Sequence, residues 1–299
     1  MITSETIKNF VESNSKWIKR KETSIPGVYV LKYNNKCFYK NHWNEYLENC
    51  RGVVVNQKYD IISNPFQKIF NYGIESHAPR ISGSEYVSAI RKVNGFMLAV
   101  SVYNGELIYS TTGSIDSDYV KMGKEMFEKT SDIDYFRWAC QQSKSTAMFE
   151  IVHKEDPHII KEKEGVYFLG SRKNEWGSKL NMYSDFEDKE YCFKGITYPE
   201  RLFLKMDDLK QKVKNVKHEG YVIYCKDGRT TKIKSKYYLI SKFFSRCNNT
   251  DKLFDRTAKS KYDEEFYPLI EKIHEDKDNF AFLSEQDRLE YIRNYLENL

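Results

Sequence analysis

"GFMLAVSVYNGELIYSTTGS", residues 95–114, carries the strongest local signal in the chain. Two apolar, alternating runs flank Asn104-Gly105, and both central positions of a type I′ turn need positive φ, which Asn and Gly accept. The stretch therefore predicts a tight antiparallel hairpin. "EGYVIYCKDGRTTKIKS", residues 219–235, repeats the design with Asp227-Gly228 and predicts a second one. Outward from these two, "GVYVLKY" (27–33), "RGVVVN" (51–56) and "YDIISNP" (59–65) read as strands separated by Asn, Lys and Pro. "TAMFEIV" (146–152) and "GVYFLGS" (165–171) add two more, and residues 117–140 read as helical. Ile7, Phe10 and Val11 behind Thr3 and Ser4 predict a short first helix.

After about residue 245 the strand signal stops. "DEEFYPLIEKIHEDKD" (263–278) and "SEQDRLEYIRNYLENL" (284–299) predict two helices. The last starts on a capping box, Ser284 to Asp287, and sets Leu289, Ile292, Leu296 and Leu299 on one face. The reading is a mixed α+β body followed by a short helical tail, with no internal repeat or low-complexity linker.

At 299 residues and 40% hydrophobic, the chain can fill a sizeable core, and a net charge of +5 tilts it weakly toward anionic partners. Six cysteines (Cys37, Cys50, Cys140, Cys192, Cys225, Cys247) contain no CxxC, so neither a zinc framework nor a disulfide scaffold is indicated. A polar N-terminus and the lack of any run near the roughly 20 apolar residues of a membrane span complete the picture. The expectation is a soluble intracellular protein in a reducing compartment.

Polar residues at the strand ends form a pattern. Lys92 precedes the first hairpin, Glu150 lies inside an apolar strand where a carboxylate needs a partner, and Glu219 opens the second hairpin. Lys232 and Lys234 alternate with Ile233 and so share a face, which favours an anion between them, such as a nucleotide phosphate. An amine nucleophile, phosphate-binding lysines and two acids suggest nucleotidyl transfer through a lysyl-nucleotide, with Mg²⁺ as the expected metal. Each signal alone has a plainer reading. Lys232 and Lys234 also describe a solvated strand face, and "KHEG" (217–220) matches the same KxxG tetrad as "KVNG" (92–95), so composition cannot choose between Lys92 and Lys217. His153 and His158, five apart around a proline, have the wrong spacing for a helical metal pair.

Taken in order, "RKVNG" (91–95), "MFEIV" (148–152), "HEGYVIY" (218–224) and "TTKIKSKYY" (230–238) resemble nucleotidyltransferase motifs I, III, IV and V of the covalent ligase and capping-enzyme superfamily. "LENCRGVVVNQKYDIISNPFQKIFNYG" (47–73) resembles the region ahead of the nucleophile in the bacteriophage T4 RNA ligase 1 family, where a Cys-Arg-Gly strand precedes a Pro-x-x-Lys-x-Phe element. "GSI" (113–115) and "SRKNEWG" (171–177) fall where that family has related segments. The resemblance covers roughly residues 25 to 240. It implies an α+β fold: an ATP-grasp-like ligase (nucleotidyltransferase) core of antiparallel sheets with flanking helices, residues 1–245, plus a small all-helical C-terminal domain, 246–299.

The implied activity is that of an ATP-dependent RNA ligase. Lys92 would attack the ATP α-phosphorus and hold AMP as a phosphoramidate, with Lys232 and Lys234 stabilising the α-phosphate. Arg51 and Lys68 would grip the outer phosphates, Glu150 the ribose, and Glu219 the metal. Gly95 and Gly220 would let backbone approach the nucleotide, and Arg172, Phe70 and Tyr238 match positions near the ATP site. AMP would then pass to an RNA 5′-phosphate and be displaced by a 3′-hydroxyl. The implied cofactors are ATP and Mg²⁺, with Mn²⁺ able to substitute. The implied setting is RNA or tRNA repair by a cytoplasmic monomer, away from membranes, beside a separate end-healing kinase/phosphatase; for a viral protein the cytoplasm is the host's.

Three positions depart from the pattern: Asn94 stands where aspartate is common, and Thr112 where the phage enzyme has lysine before its Gly-Ser pair. Phe96 also replaces the usual serine. Two other readings compete. A DNA ligase or capping enzyme would follow motif V with an OB-fold, but residues 235–299 read as helices and an OB barrel needs five strands. A catalytically degenerate RNA-binding protein would explain Asn94 and Thr112, but it has no need to keep Lys92, Glu150, Glu219, Lys232 and Lys234 together.

Overall fold

A computed structural model of the chain describes residues 2–181, 195–255 and 257–299. The chain divides into two compact units, Met1–Lys68 with Val93–Pro199 and Ile69–Lys92 with Glu200–Leu299.

The first unit holds two sheets. β1 (Ile18–Glu22), β2 (Tyr29–Tyr33), β3 (Arg51–Val55) and β4 (Ile61–Ser63) form an antiparallel sheet in that order. The unbroken apolar run of β3 follows from burial on both faces. Val53 and Val55 pack with Leu31, Tyr59 and the helix Ser4–Ser13 through Ile7 and Val11, whereas Val54 faces Val28, Val30 and Ile108. The next strand, β5 (Tyr86–Arg91), belongs to the second unit. β6 (Phe96–Tyr103), β7 (Glu106–Ser110), β8 (Ser145–Val152), β9 (Gly165–Lys173) and β10 (Leu180–Asn181) build the first unit's other sheet, in the order β10-β9-β8-β6-β7. Short β11 (Ile196–Thr197) pairs with β9 in parallel; the other pairings are antiparallel. Helices Asp118–Thr130 and Ile133–Ser143 cover one face through Phe127 and Phe136, which meet Leu98, Phe149 and Phe168. The helical reading of 117–140 is thus two helices, because Asp132 caps the second by accepting from Tyr135 N at 3.0 Å.

The second unit is built on an antiparallel sheet of β5 with β12 (Arg201–Lys205), β13 (Gly220–Cys225) and β14 (Thr230–Lys234), ordered β12-β5-β13-β14. Met206, Leu209 and Val213 of the helix Met206–Lys214 pack on Val87, Ala89, Tyr221 and Ile223. The chain then turns helical, as expected, from Lys236–Arg246 through Tyr267–Glu275 and Lys277–Phe282 to Glu285–Glu297.

The two hairpins differ. At Asn104-Gly105 both φ values are positive, 52° and 82°, and Tyr103 pairs with Glu106, so the type I′ turn forms as predicted. At Asp227-Gly228 only Gly228 is left-handed, at 94°. Gly228 N donates to Cys225 O at 3.0 Å and Cys225 N to Arg229 O at 2.9 Å, giving a three-residue loop closed by a left-handed glycine instead. Asp227 favours it by accepting from Arg229 N and Nε. In the last helix Ser284 caps Asp287, and Ile292 and Leu296 are buried, but Leu299 is exposed because the helix ends at Glu297.

Candidate active site

Register brings the second unit's polar groups together. β13 runs antiparallel to β5 with Tyr221 opposite Arg91, so the residue after β5, Lys92, comes level with the start of β13. Lys92 N donates to Gly220 O at 2.9 Å, and Lys92 Nζ donates to Glu219 Oε2 at 2.9 Å. Glu219 is buried, and its other oxygen lies 3.8 Å from Lys234 Nζ. The Glu219 backbone is fixed from the far side, where Ser235 N donates to its carbonyl. Gly220 has φ +137°, and a Cβ there would stand 2.0 Å from Ile233 O, so glycine is needed for the β13–β14 approach itself. The two KxxG tetrads therefore sit in different settings: Lys92 meets a buried carboxylate, whereas Lys217 is exposed.

The shared face of Lys232 and Lys234 does have counter-ions, supplied by the helical tail. Lys234 Nζ lies 2.7 Å from Glu265 Oε1, and Lys232 Nζ lies 3.8 Å from Glu264 Oε1. Lys242 joins them, 2.8 Å from Glu265 and 2.5 Å from Asp263. Burial alone would strip charge from Lys234, but Glu265 and Glu219 outweigh it and push its pKa up. Burial likewise opposes the charge on Glu265, yet Lys234 and Lys242 hold its carboxyl well below the usual range. The ring of Tyr238 lies 5.1 Å from Lys234 Nζ and 5.5 Å from Lys242 Nζ, a cation–π arrangement. Phe70 enters through its backbone: its carbonyl accepts from Lys232 N at 3.0 Å and Thr231 Oγ1 at 2.8 Å.

The first unit carries the other residues. Glu150, buried on β8 opposite Met97, accepts from Gly95 N at 3.1 Å through Oε1. A Cβ on Gly95 would lie 2.2 Å from Ile151 O, so the close approach this glycine serves here is to β8. Gly95→Ala is expected to cost about 1–3 kcal/mol through overpacking, read as a lower urea midpoint at unchanged m-value. Asn94 is buried and its Oδ1 accepts from Ile160 N at 3.3 Å, a bond to backbone that an amide makes without burying a charge. Arg51 is aimed by a bulge: Leu31 pairs with Val53 but Lys32 with Arg51, skipping Gly52. Gly52 has φ +92° and a Cβ there would meet Thr112 Cα at 2.7 Å, which explains the glycine of Cys-Arg-Gly. Lys68 is buried with its ammonium 4.8 Å from the Phe38 ring and 5.6 Å from Trp43. Arg172 is a clamp, donating to Ser178 O, Pro65 O and Asn49 Oδ1, and burial lowers its pKa to about 10. His158 pairs locally with Asp156 at 2.7 Å.

A family model for RNA ligase, of the T4 type 1, matches residues 49–247. The chain belongs to the RNA ligase family. A protein of Autographa californica nuclear polyhedrosis virus, described as a bifunctional polynucleotide kinase/RNA ligase, is 25% identical over 271 residues. The match takes in 83% of this chain and 38% of that one, so the chain spans well under half the length of this curated relative. Among solved structures, one described as an archaeal ATP-dependent RNA ligase (form 2) superposes with a TM-score of 0.57 at 14% identity, covering 99% of this chain and 76% of that one. Another, described as an ATP-dependent DNA ligase from Aquifex aeolicus, gives 0.56 at 16% identity, covering 91% and 72%. These likenesses bear out the nucleotidyltransferase fold of antiparallel sheets with flanking helices.

For this RNA ligase family member, sequence reasoning missed Glu264, Glu265 and Lys242. "DEEFYPLIEKIHEDKD" signals only a helix, and no local pattern ties Glu265 to a lysine 31 positions earlier. Among the described residues no three His, Cys, Asp or Glu groups cluster to cage a metal. A single buried carboxylate such as Glu219 nevertheless fits Mg²⁺, which takes one or two carboxylates and fills the rest of its shell with water and substrate phosphates. Five cysteines are buried and unpaired, and Cys192 lies outside the described residues. No helix among the described residues is long and apolar enough to cross a membrane.

Proposed function

We propose that this chain is an ATP-dependent RNA ligase that joins 5′-phosphate and 3′-hydroxyl RNA ends through a lysyl-AMP and an adenylylated RNA 5′ end. The observation that carries the reading is the Lys92–Glu219–Lys234 array at the motif I, IV and V positions. In the first step the Lys92 Nζ–phosphorus bond forms at the ATP α-phosphate as the bond to pyrophosphate breaks. An ammonium ion-paired with Glu219 has no lone pair to give, so Lys92 must surrender a proton and leave that ion pair before its amine attacks. Lys232 and Lys234 stabilise negative charge on the α-phosphate, and Tyr238 and Glu265 hold Lys234 in place. Arg51 and Lys68 bind the outer phosphates, Glu150 the ribose, and Arg172, spanning Asn49, Pro65 and Ser178, positions the segment before Lys68. Gly95, Gly220 and Phe70 shape the site through their backbones.

Glu219 would hold Mg²⁺, or Mn²⁺ in its place, and the metal when bound supplies positive charge against the phosphates. Adenylyl transfer belongs to residues 1–245, and the helical part, 246–299, braces it through Glu264 and Glu265. The setting that suits this chemistry is RNA or tRNA repair in a reducing cytoplasm, by a monomer, with a kinase/phosphatase to prepare the ends. The relative's description as kinase and ligase supports that pairing. The test is sealing of matched RNA and DNA strands bearing 5′-phosphate and 3′-hydroxyl ends, with ATP and Mg²⁺. RNA should be sealed with release of AMP; sealing of DNA but not RNA would overturn the substrate assignment.

A further inference from the structure

Three cations stand in file across the first sheet. Lys19 on β1 pairs in register with Lys32 on β2, and Lys32 pairs with Arg51 on β3. Directly opposed residues share a face, and Lys21, two along from Lys19, joins them there. Like charges set opposite one another destabilise a sheet, and among the described residues none of the four has a carboxylate partner within ion-pair distance. Lys32 is exposed, and its amine is held beside the backbone of a neighbouring turn. Its Nζ lies 3.5 Å from where a Cβ on Gly113 would stand, over the turn closed by Thr111 N and Ser114 O. Partial desolvation, then Arg51, Lys19 and Lys21, push its pKa down, and no acid offsets them. The charge is therefore unfavourable in the free protein and would be relieved by a multiply charged anion. The position beside it, Thr112, is the one where the resemblance led us to expect a cation.

We propose that Lys32 is a phosphate contact for the outer phosphates of ATP, acting beside Arg51 and occupying with its amine the space that Gly113 leaves open. The inference rests on the reading that Arg51 binds those phosphates, and it adds a residue from a strand outside the motifs. Its consequence is specific to the first step, because the outer phosphates leave as pyrophosphate before RNA is joined.

The test compares wild type with Lys32→Ala in three measurements: lysyl-AMP formation against ATP concentration, sealing of RNA already carrying 5′-AMP, and binding of inorganic pyrophosphate by calorimetry. Loss of a charged contact to phosphate should lower kcat/KM for ATP about tenfold to a hundredfold and weaken pyrophosphate binding similarly. Sealing of the pre-adenylylated RNA should stay within about twofold, since that substrate has no triphosphate. Thermal stability should hold or rise, because the substitution removes a repulsion from an exposed site. Unchanged kcat/KM for ATP and unchanged pyrophosphate binding would overturn the proposal. Equal losses in both chemical steps, with pyrophosphate binding intact, would overturn it too and make Lys32 an RNA contact. Pyrophosphate binding needs no chemistry, so it decides the role of Lys32 even if the wild-type protein forms no lysyl-AMP, a result that would instead refute the ligase mechanism.

Discussion

Lys92→Ala is expected to abolish covalent adenylylation, a loss of about a thousandfold or more, while sparing most of the sealing of RNA supplied with 5′-AMP. The split follows from where bonds form. In the proposed mechanism Lys92 carries AMP only until the RNA 5′-phosphate takes it, so a substrate that already bears AMP would bypass the missing amine. The fold should survive the change. The Lys92 side chain is 27% exposed and fills no core cluster, and Glu219 keeps Lys234 at 3.8 Å as a counter-charge. Glu219→Ala, in contrast, should depress both steps, because the carboxylate proposed to hold the metal would serve each transfer at phosphorus. Single-turnover assays on the two variants with ATP and with pre-adenylylated RNA check the pattern.

Glu265→Ala is expected to destabilise the protein by about 3–5 kcal/mol, because it leaves two buried ammonium groups without their shared partner. Lys234 and Lys242 both point at Glu265 Oε1, at 2.7 and 2.8 Å, and all three are buried or nearly so. The pH dependence has a definite sign. Glu265 has a depressed pKa, so its contribution is present above the ordinary carboxyl value of 4.5 and is lost as pH falls through the folded value. Lys234 has a raised pKa, so its contribution is present below 10.5 and is lost as pH rises through the folded value. The gap in urea midpoint between wild type and Glu265→Ala should therefore be widest between about pH 4.5 and 10.5 and close in acid. A gap that persisted unchanged well into acid would show that the carboxylate charge is not what binds the tail to β14.

What could be read in advance was whatever depends on neighbours in sequence. Asn104-Gly105 fixes its own turn through two residues that accept positive φ, so the hairpin formed as expected. Asp227-Gly228 suits two turn types, and the bonds from Asp227 to Arg229, which composition does not reveal, select the longer loop. The motif residues Lys92, Glu219 and Lys234 were legible by order, but their mutual geometry arises from the β5–β13 register, and β5 itself gave no clear strand signal. Glu265 was hidden because its partners are distant in sequence. Lys32 was hidden because only the bulge at Gly52 turns Arg51 to face it. Glycines showed a similar limit. Gly95 and Gly220 were read as room for a nucleotide, and what the backbone displays is room for Ile151 and Ile233 carbonyls.

The central claim is that Lys92 carries AMP, and peptide mapping tests it directly. The protein is first stripped with pyrophosphate, then incubated with α-labelled ATP and Mg²⁺, denatured, digested and sequenced by mass spectrometry. Label should survive denaturation, with a single AMP on the peptide containing "RKVNG", at Lys92, and none on Lys92→Ala. AMP on Lys217 or on any other residue, or a stripped wild-type protein that takes up no label, would contradict it.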